Sequence, residues 1–236
     1  MAEAERLTAE TELAALHDRM RACRLCIEQG YNVAPGAVFS GPATARVMLV
    51  GQAPGITETE VGRPFNGSSG TRLFQWLAQA GWEEDVFRST QYLSAVTKCY
   101  PGRAPGSKGD RAPTRAEQKL CAPFLAQELA LVRPEILAPV GGLAVRRFLG
   151  RVRLSDVVGE VRRGGQQTSV GGQQTSVGGQ QTSVGGQQTS VGAGYWIVPL
   201  PHPSGVSLWL NQPENQARVE RALDHLARLC RELNVS

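Results

Sequence analysis

At 236 residues, 41% of them apolar, the chain has the length of one ordinary domain and enough hydrophobic side chains to bury a core. Lys and Arg exceed Asp and Glu by 25 to 21, and a pI near 9.0 admits a nucleic-acid partner without demanding one. No apolar run approaches membrane-spanning length, and the acidic, amphipathic start MAEAERLTAETELAAL is unlike a secretion signal, so a cytoplasmic protein with no membrane partner, acting as a monomer, is expected.

Thr8 to Cys23 reads as a helix, with Leu13, Leu16 and Met20 on one stripe and Thr8 as its cap, and it leads into Cys23-Arg24-Leu25-Cys26. A loop rich in Gly and Pro follows. Val47–Val50 is apolar without alternation, which suits a strand covered on both faces; Gly51, Pro54 and Gly55 stop it. The next stretch carries Glu58, Glu60 and GRPFNG, where Phe65 sits outside any periodicity. Helical spacing then resumes at Leu73, Trp76 and Leu77. Ser68 and Ser69 thus open a helix whose free N–H groups suit an anion such as a phosphate.

Gln91–Thr97 reads as a second buried strand, running into Lys98-Cys99-Tyr100-Pro101-Gly102. Residues 101–113 are Pro, Gly and basic side chains, hence an exposed loop. Thr114-Arg-Ala-Glu117 is a capping box that starts a helix carrying Cys121, Phe124, Leu125 and Leu129 inward. Glu135–Val140 is a third strand and Gly141-Gly142 turns into a short helix. Residues 164–191 are four copies of GGQQTSV, with one apolar residue in seven and too much glycine for a heptad seam. They read as a disordered insertion in a hairpin between Val157–Arg163 and the last strand, Tyr195–Leu200. Pro201-His202-Pro203-Ser204-Gly205 follows, then the apolar Val206–Asn211 and, from Gln216, a final amphipathic helix. Strands alternating with helices predict a three-layer α/β/α sandwich around a central, mostly parallel sheet of about four strands.

Five cysteines are an odd number for a disulfide framework, and clustered thiols in a reducing compartment more often bind metal. Cys23 and Cys26 form C-x2-C, and Cys99 and Cys121 a wider pair. Four such thiolates suit a [4Fe–4S] cluster or a zinc ion, which spacing alone does not separate. Cys230, on the last helix, reads as a small buried apolar residue. His202 is clamped between prolines at a strand end, unlike His17 and His225 within helices.

Taken in order, GQAPG-x-x-E with GRPFNGSSG, TKCYPG with Cys121, and PHPSG resemble motifs of the uracil-DNA glycosylase superfamily, most closely its iron–sulfur families four and five. The resemblance covers nearly everything outside 164–191. It implies a [4Fe–4S] cluster on Cys23, Cys26, Cys99 and Cys121, and a monofunctional glycosylase that flips and hydrolyses uracil, or other deaminated bases, out of DNA. His202 is then the donor facing the base oxygen, Phe65 stacks on the flipped base, and Gln52, Ala53 and Asn66 complete the base site. Ala53 stands where the best-known relatives have the water-activating aspartate, so Glu58 takes that role. Ala95 replaces a uracil-reading asparagine of family four, which loosens the pocket unless Asn66 or Asn211 substitutes. The cluster would position Lys98, Arg103, Lys108 and Arg111 toward a phosphate backbone, otherwise a solvated loop. Ser68, Ser69 and Ser204 are expected phosphate contacts, and Leu208 with Trp209 either wedges into the hole left by the base or packs beneath the final helix. The rival reading is a non-catalytic iron–sulfur protein of the same fold that binds single-stranded or damaged DNA.

Overall fold

A computed structural model describes residues 3–106, 109–164, 194–204 and 208–235. The first helix, α1 (Glu3–Ala22), buries Leu13, Leu16 and Met20 as its stripe predicts. It starts five residues earlier than expected, so Thr8 is no cap: its hydroxyl donates to the Ala4 carbonyl inside the helix. After α2 (Leu25–Glu28), strand β1 (Val47–Gly51) is buried throughout. The stretch read as loop around Glu58 contains a short helix, α3 (Ile56–Val61), before α4 (Ser68–Gln79) and α5 (Glu84–Thr90). Then come β2 (Tyr92–Ala95) and α6 (Arg115–Val132), which opens with the expected reciprocal Thr114–Glu117 capping box. The chain continues through β3 (Ile136–Pro139), α7 (Gly142–Leu149), α8 (Leu154–Val157), β4 (Arg162–Arg163), β5 (Trp196–Ile197) and α9 (Pro213–Glu232).

The sheet has five strands in the order β2-β1-β3-β5-β4, with β4 alone antiparallel. The extra strand is the near arm of the expected hairpin, reduced to two residues because Val157 closes α8 instead of pairing. The GGQQTSV array beyond Gly164 lies outside the described residues. Alternation along β1 builds both cores. Val47 and Leu49 pack with α4 and α9 on one face, and Met48 and Val50 with α1 and α6 on the other. A helix layer on each side of a mostly parallel sheet is the expected three-layer arrangement. Among the described residues no helix is long and apolar enough to cross a membrane.

Candidate active site

Because β2, β1, β3 and β5 run parallel, their carboxyl ends share one edge, where open α/β sheets bind ligands. Four loops meet there: Val96–Cys99 after β2, Gln52–Gly55 after β1, Gly141 after β3 and His202 after β5. Backbone bonds tie them together, from Thr97 N–H to the Gln52 carbonyl at 3.2 Å and from Gly141 N–H to the Leu200 carbonyl at 2.9 Å.

The loop after β1 is organised by Glu58. Its carboxylate accepts the N–H of Gly55 and those of Phe65 and Asn66, drawing the start of α3 and the Phe65 turn onto one side chain. Burial pushes this carboxyl above its ordinary range, and the nearby Asp110 adds to that against the pull of the three N–H groups. Phe65 holds a left-handed backbone at φ 51°, and Arg88 bonds the carbonyls of Pro64 and Phe65 at 2.8 and 3.0 Å. Two glycines make the turn possible. A Cβ at Gly70 would stand 1.8 Å from the Phe65 carbonyl oxygen, and one at Gly51 would stand 3.1 Å from the Phe65 ring. The ring therefore lies over bare backbone at the end of β1.

Beside it opens a hollow of about 240 Å³, continuous with solvent and walled by Gly51, Ala53, Pro54, Pro64 and Phe65, with Val38, Glu58, Ser94 and Ala95 completing it. Of the expected base-site residues, Phe65, Ala53 and Glu58 line it directly. Asn66 is half-buried next to Phe65, and Gln52 is half-buried between Gly51 and Ala53. Ser94 was not foreseen, although its place in β2 two residues after Tyr92 puts both on one sheet face.

His202 stands two strands away from β1 on the same edge. Its ring packs over Gly141, where a Cβ would meet Cβ and Cδ2 of the imidazole at 3.4 Å. Ser204 N–H donates to Nδ1 at 3.2 Å, so Nδ1 is an acceptor and the neutral ring carries its proton on Nε2. Surrounding protein lowers the His202 pKa from its ordinary value by desolvation, which favours that neutral form. The side chain nevertheless remains accessible at the rim.

Cys23, Cys26, Cys99 and Cys121 all line one pocket, open to solvent, between α1, α6 and the end of β2, with Met20, Leu25, Pro35 and Phe124 among its apolar walls. Burial pushes the Cys99 thiol up to about 11, with Cys121 next in effect, and burial likewise raises Cys121 and Cys26. Lys98 N–H points at Cys121 Sγ, 3.3 Å away, and Gly36 N–H bonds Cys99. Thr97 lines the same pocket, and its Oγ1 is buried without a hydrogen-bond partner among the described residues. No group of three or more His, Cys, Asp or Glu side chains among the described residues is arranged to hold a metal ion. Cys230 lies buried in the core of α9, as expected of a structural thiol.

The four basic residues expected on DNA fare differently. Lys98 is corrected: it is 2% exposed, its ammonium bonded to Glu128, to Ser94 Oγ at 2.6 Å and to the Ala95 carbonyl at 2.6 Å. Glu128, fully buried, also accepts from Tyr92 and Ser94, and His17 shares the Tyr92 hydroxyl at 2.8 Å. A lysine next to a loop was drawn inward because a carboxylate on α6, 30 residues on, neutralises it there. Arg111 is corrected too, since both its terminal nitrogens bond the buried Glu117, at 2.8 and 2.6 Å, and brace the thiol cavity. Arg103 is exposed, and Lys108 lies outside the described residues. Ser68 and Ser69 sit in the first turn of α4, Ser68 exposed. Leu208 is 78% exposed, as a wedge requires, whereas Trp209 packs on the core and its carbonyl accepts from Asn215 of α9.

His17 carries a stability prediction. Burial depresses its pKa from 6.5 to about 4, so the folded state resists protonation. The contribution is complete above pH 6.5 and is lost as pH falls from 6.5 through 4, because the unfolded chain then binds the proton first. Chemical denaturation between pH 7 and 4.5 should show the parent losing stability faster than His17→Gln; parallel losses would exclude His17 as the titrating group.

A model of the Uracil DNA glycosylase superfamily matches residues 38–227. The chain is 32% identical over 160 residues to a type-4 uracil-DNA glycosylase of Pyrobaculum aerophilum, covering 65% of this chain and 75% of that protein. It is 31% identical over 159 residues to a type-4 uracil-DNA glycosylase of Archaeoglobus fulgidus, covering 63% and 73%. A type-5 uracil-DNA glycosylase of Pyrobaculum aerophilum matches at 31% over 120 residues, covering 46% and 50%. The family match spans well over half the sequence and takes in the β1 loop, the Phe65 turn, the hollow and His202, so the chain belongs to the uracil-DNA glycosylase superfamily.

Proposed function

We propose that this protein is a DNA-repair glycosylase that hydrolyses the N-glycosidic bond of uracil, and of other deaminated bases, in DNA. One observation carries the reading: the Phe65 hollow after β1 and His202 after β5 lie on the same carboxyl edge of the sheet, two strands apart. A flipped base stacked on Phe65 lies on that edge with its carbonyl side turned toward β5 and the imidazole.

Breaking the bond leaves positive charge on the sugar and negative charge on the departing base. A neutral histidine whose Nδ1 already accepts from Ser204 offers its Nε2 proton to the base oxygen as that charge develops. The Gln52 amide, on the adjoining loop, orients the same base. Glu58 takes a different part from the one its sequence position suggested. Both it and the Phe65 turn are bound up in backbone hydrogen bonds, so it shapes the hollow as well as lending negative charge to the sugar side. Ala95 and the engaged Ser94 hydroxyl present little to read a base edge, in keeping with tolerance of several deaminated bases.

Four thiols lining one largely apolar pocket suit an iron–sulfur cluster, the occupant that the motifs favour over zinc. Cys23, Cys26, Cys99 and Cys121 would hold the cluster, and the N–H groups of Lys98 and Gly36 meet the Cys121 and Cys99 sulfurs that would ligate it. Bound there, the cluster would serve structure, joining the segment after α1 to the end of β2 and the first turns of α6.

The test is release of free base from oligonucleotides carrying uracil, hypoxanthine or xanthine, single- and double-stranded, with an abasic site and no strand cleavage as the product. Purified protein should be brown, with roughly four iron atoms per chain. One observation favours the rival reading, a binder without turnover: the carboxylate nearest the hollow is occupied by three backbone donors. Tight binding of damaged DNA with no base released would decide for it.

A further inference from the structure

The chain's net charge of +4 has one address. Residues 142–164 hold six arginines against Asp156 and Glu160, a surplus of four, so the remainder of the chain is neutral. All six are exposed. None of the ion pairs among the described residues uses Arg146, Arg147 or Arg162.

These arginines form a path that begins at the active site. Arg146 folds back over the start of α7, where a Cβ at Gly142 would meet its guanidinium at 3.0 Å, and the preceding Gly141 lies under the His202 ring. Arg147, one residue on, is near enough to Tyr195 for its charge to oppose the burial that raises that phenol. Tyr195 pairs its backbone with Gly164, and Arg163 stacks over the Trp196 ring at 3.8 Å. Arg162 lies opposite Ile197 at the outer edge of the sheet. By strand alternation Arg162 shares the sheet face of Ile197 and Tyr195, while the Arg163–Trp196 stack lies on the opposite face. Exposed guanidinium groups beside the half-buried Tyr195 ring fit a nucleic-acid backbone.

We propose that Arg146, Arg147 and Arg162 are phosphate contacts that extend the DNA footprint from His202 along the β5–β4 edge. The origin of the track at the flipped nucleotide rests on the glycosylase reading. From Ile197 to His202 is five residues of extended chain, about 17 Å, which matches about five nucleotides at the 3.4 Å rise of a stacked strand and fewer where the strand is drawn out. The track therefore engages DNA well outside the base pocket.

The experiment uses the full chain and the double variant Arg147→Gln/Arg162→Gln, binding labelled 25-nucleotide and 5-nucleotide single strands with a central uracil between 50 and 200 mM salt. Two lost phosphate contacts should make the slope of log K against log salt shallower by about 1.4 on the long strand, and weaken binding roughly tenfold at the lower salt. Affinity for the short strand should stay within twofold, and Arg147→Lys/Arg162→Lys should keep the parent slope. An unchanged slope on the long strand overturns the proposal and leaves these arginines as guards of an exposed sheet edge. Equal weakening on both strands also overturns it, since the effect is then not one of reach. If the parent releases no base yet shows the length-dependent slope, the glycosylase reading falls and the track stands.

Discussion

His202→Ala should lower kcat on uracil-containing DNA by about 10²–10³-fold, the usual cost of removing one donor to a developing oxyanion, while KM changes little. The donor bonds an oxygen that becomes strongly basic only as the glycosidic bond parts, so its loss falls on the chemical step and not on ground-state binding. Ser204 fixes the tautomer by donating to Nδ1, and desolvation holds the ring neutral. The pH profile follows from that sign. The His202 pKa lies below 6.5, so kcat should be level through neutrality and fall only on an acid limb below 6.5, where protonation of Nδ1 breaks the Ser204 bond. Single-turnover excision by parent and variant from pH 5 to 8 measures both. A variant that retains parental kcat, or an acid limb that persists in His202→Ala, would remove the histidine from the mechanism.

The second large effect is on stability. Glu128→Leu strands the Lys98 ammonium in the interior with only Ser94 and the Ala95 carbonyl for company. Breaking a buried ion pair from one side costs about 3–5 kcal/mol, which for a domain of this size lowers Tm by roughly 6–20 °C. Replacing both partners, Lys98→Met with Glu128→Leu, should recover half or more of the loss, since an uncompensated charge is then no longer buried. Recovery stays incomplete because Tyr92 and Ser94 lose their acceptor. Differential scanning calorimetry of the two variants decides it: a double variant no more stable than Glu128→Leu would mean that the pair is not coupled. The consequence reaches the site, because the Lys98 side chain holds the floor of the hollow at Ser94 and Ala95 while its backbone N–H meets Cys121. Cys121 and Glu128 lie seven residues apart, on the same face of α6.

Much of this protein was legible one residue after another. An unbroken apolar run told of a strand covered on both faces, Thr114 and Glu117 announced the start of α6, and the three motifs with the four thiols pointed to the family now matched over residues 38–227. Such features depend on neighbours within about one turn or one strand, where spacing alone sets burial and hydrogen bonding. The α3 helix escaped because six residues, capped only by Glu58 accepting the Gly55 N–H, carry too short a period to stand out.

What local spacing left open was settled by partners distant in the chain. Lys98 and Arg111, read beside Arg103 as one basic surface, are claimed by Glu128 and Glu117, because a buried charge is tolerable only when an opposite charge meets it and the sequence does not announce that meeting. Trp209 became core because α9 lies against it, while Leu208 beside it stayed exposed. The sequence by itself determined the strand and helix layers, the thiol set and the residue types of the active edge. Only the tertiary structure decided which carboxylates and cations remain free to act, since that depends on desolvation and pairing across the fold.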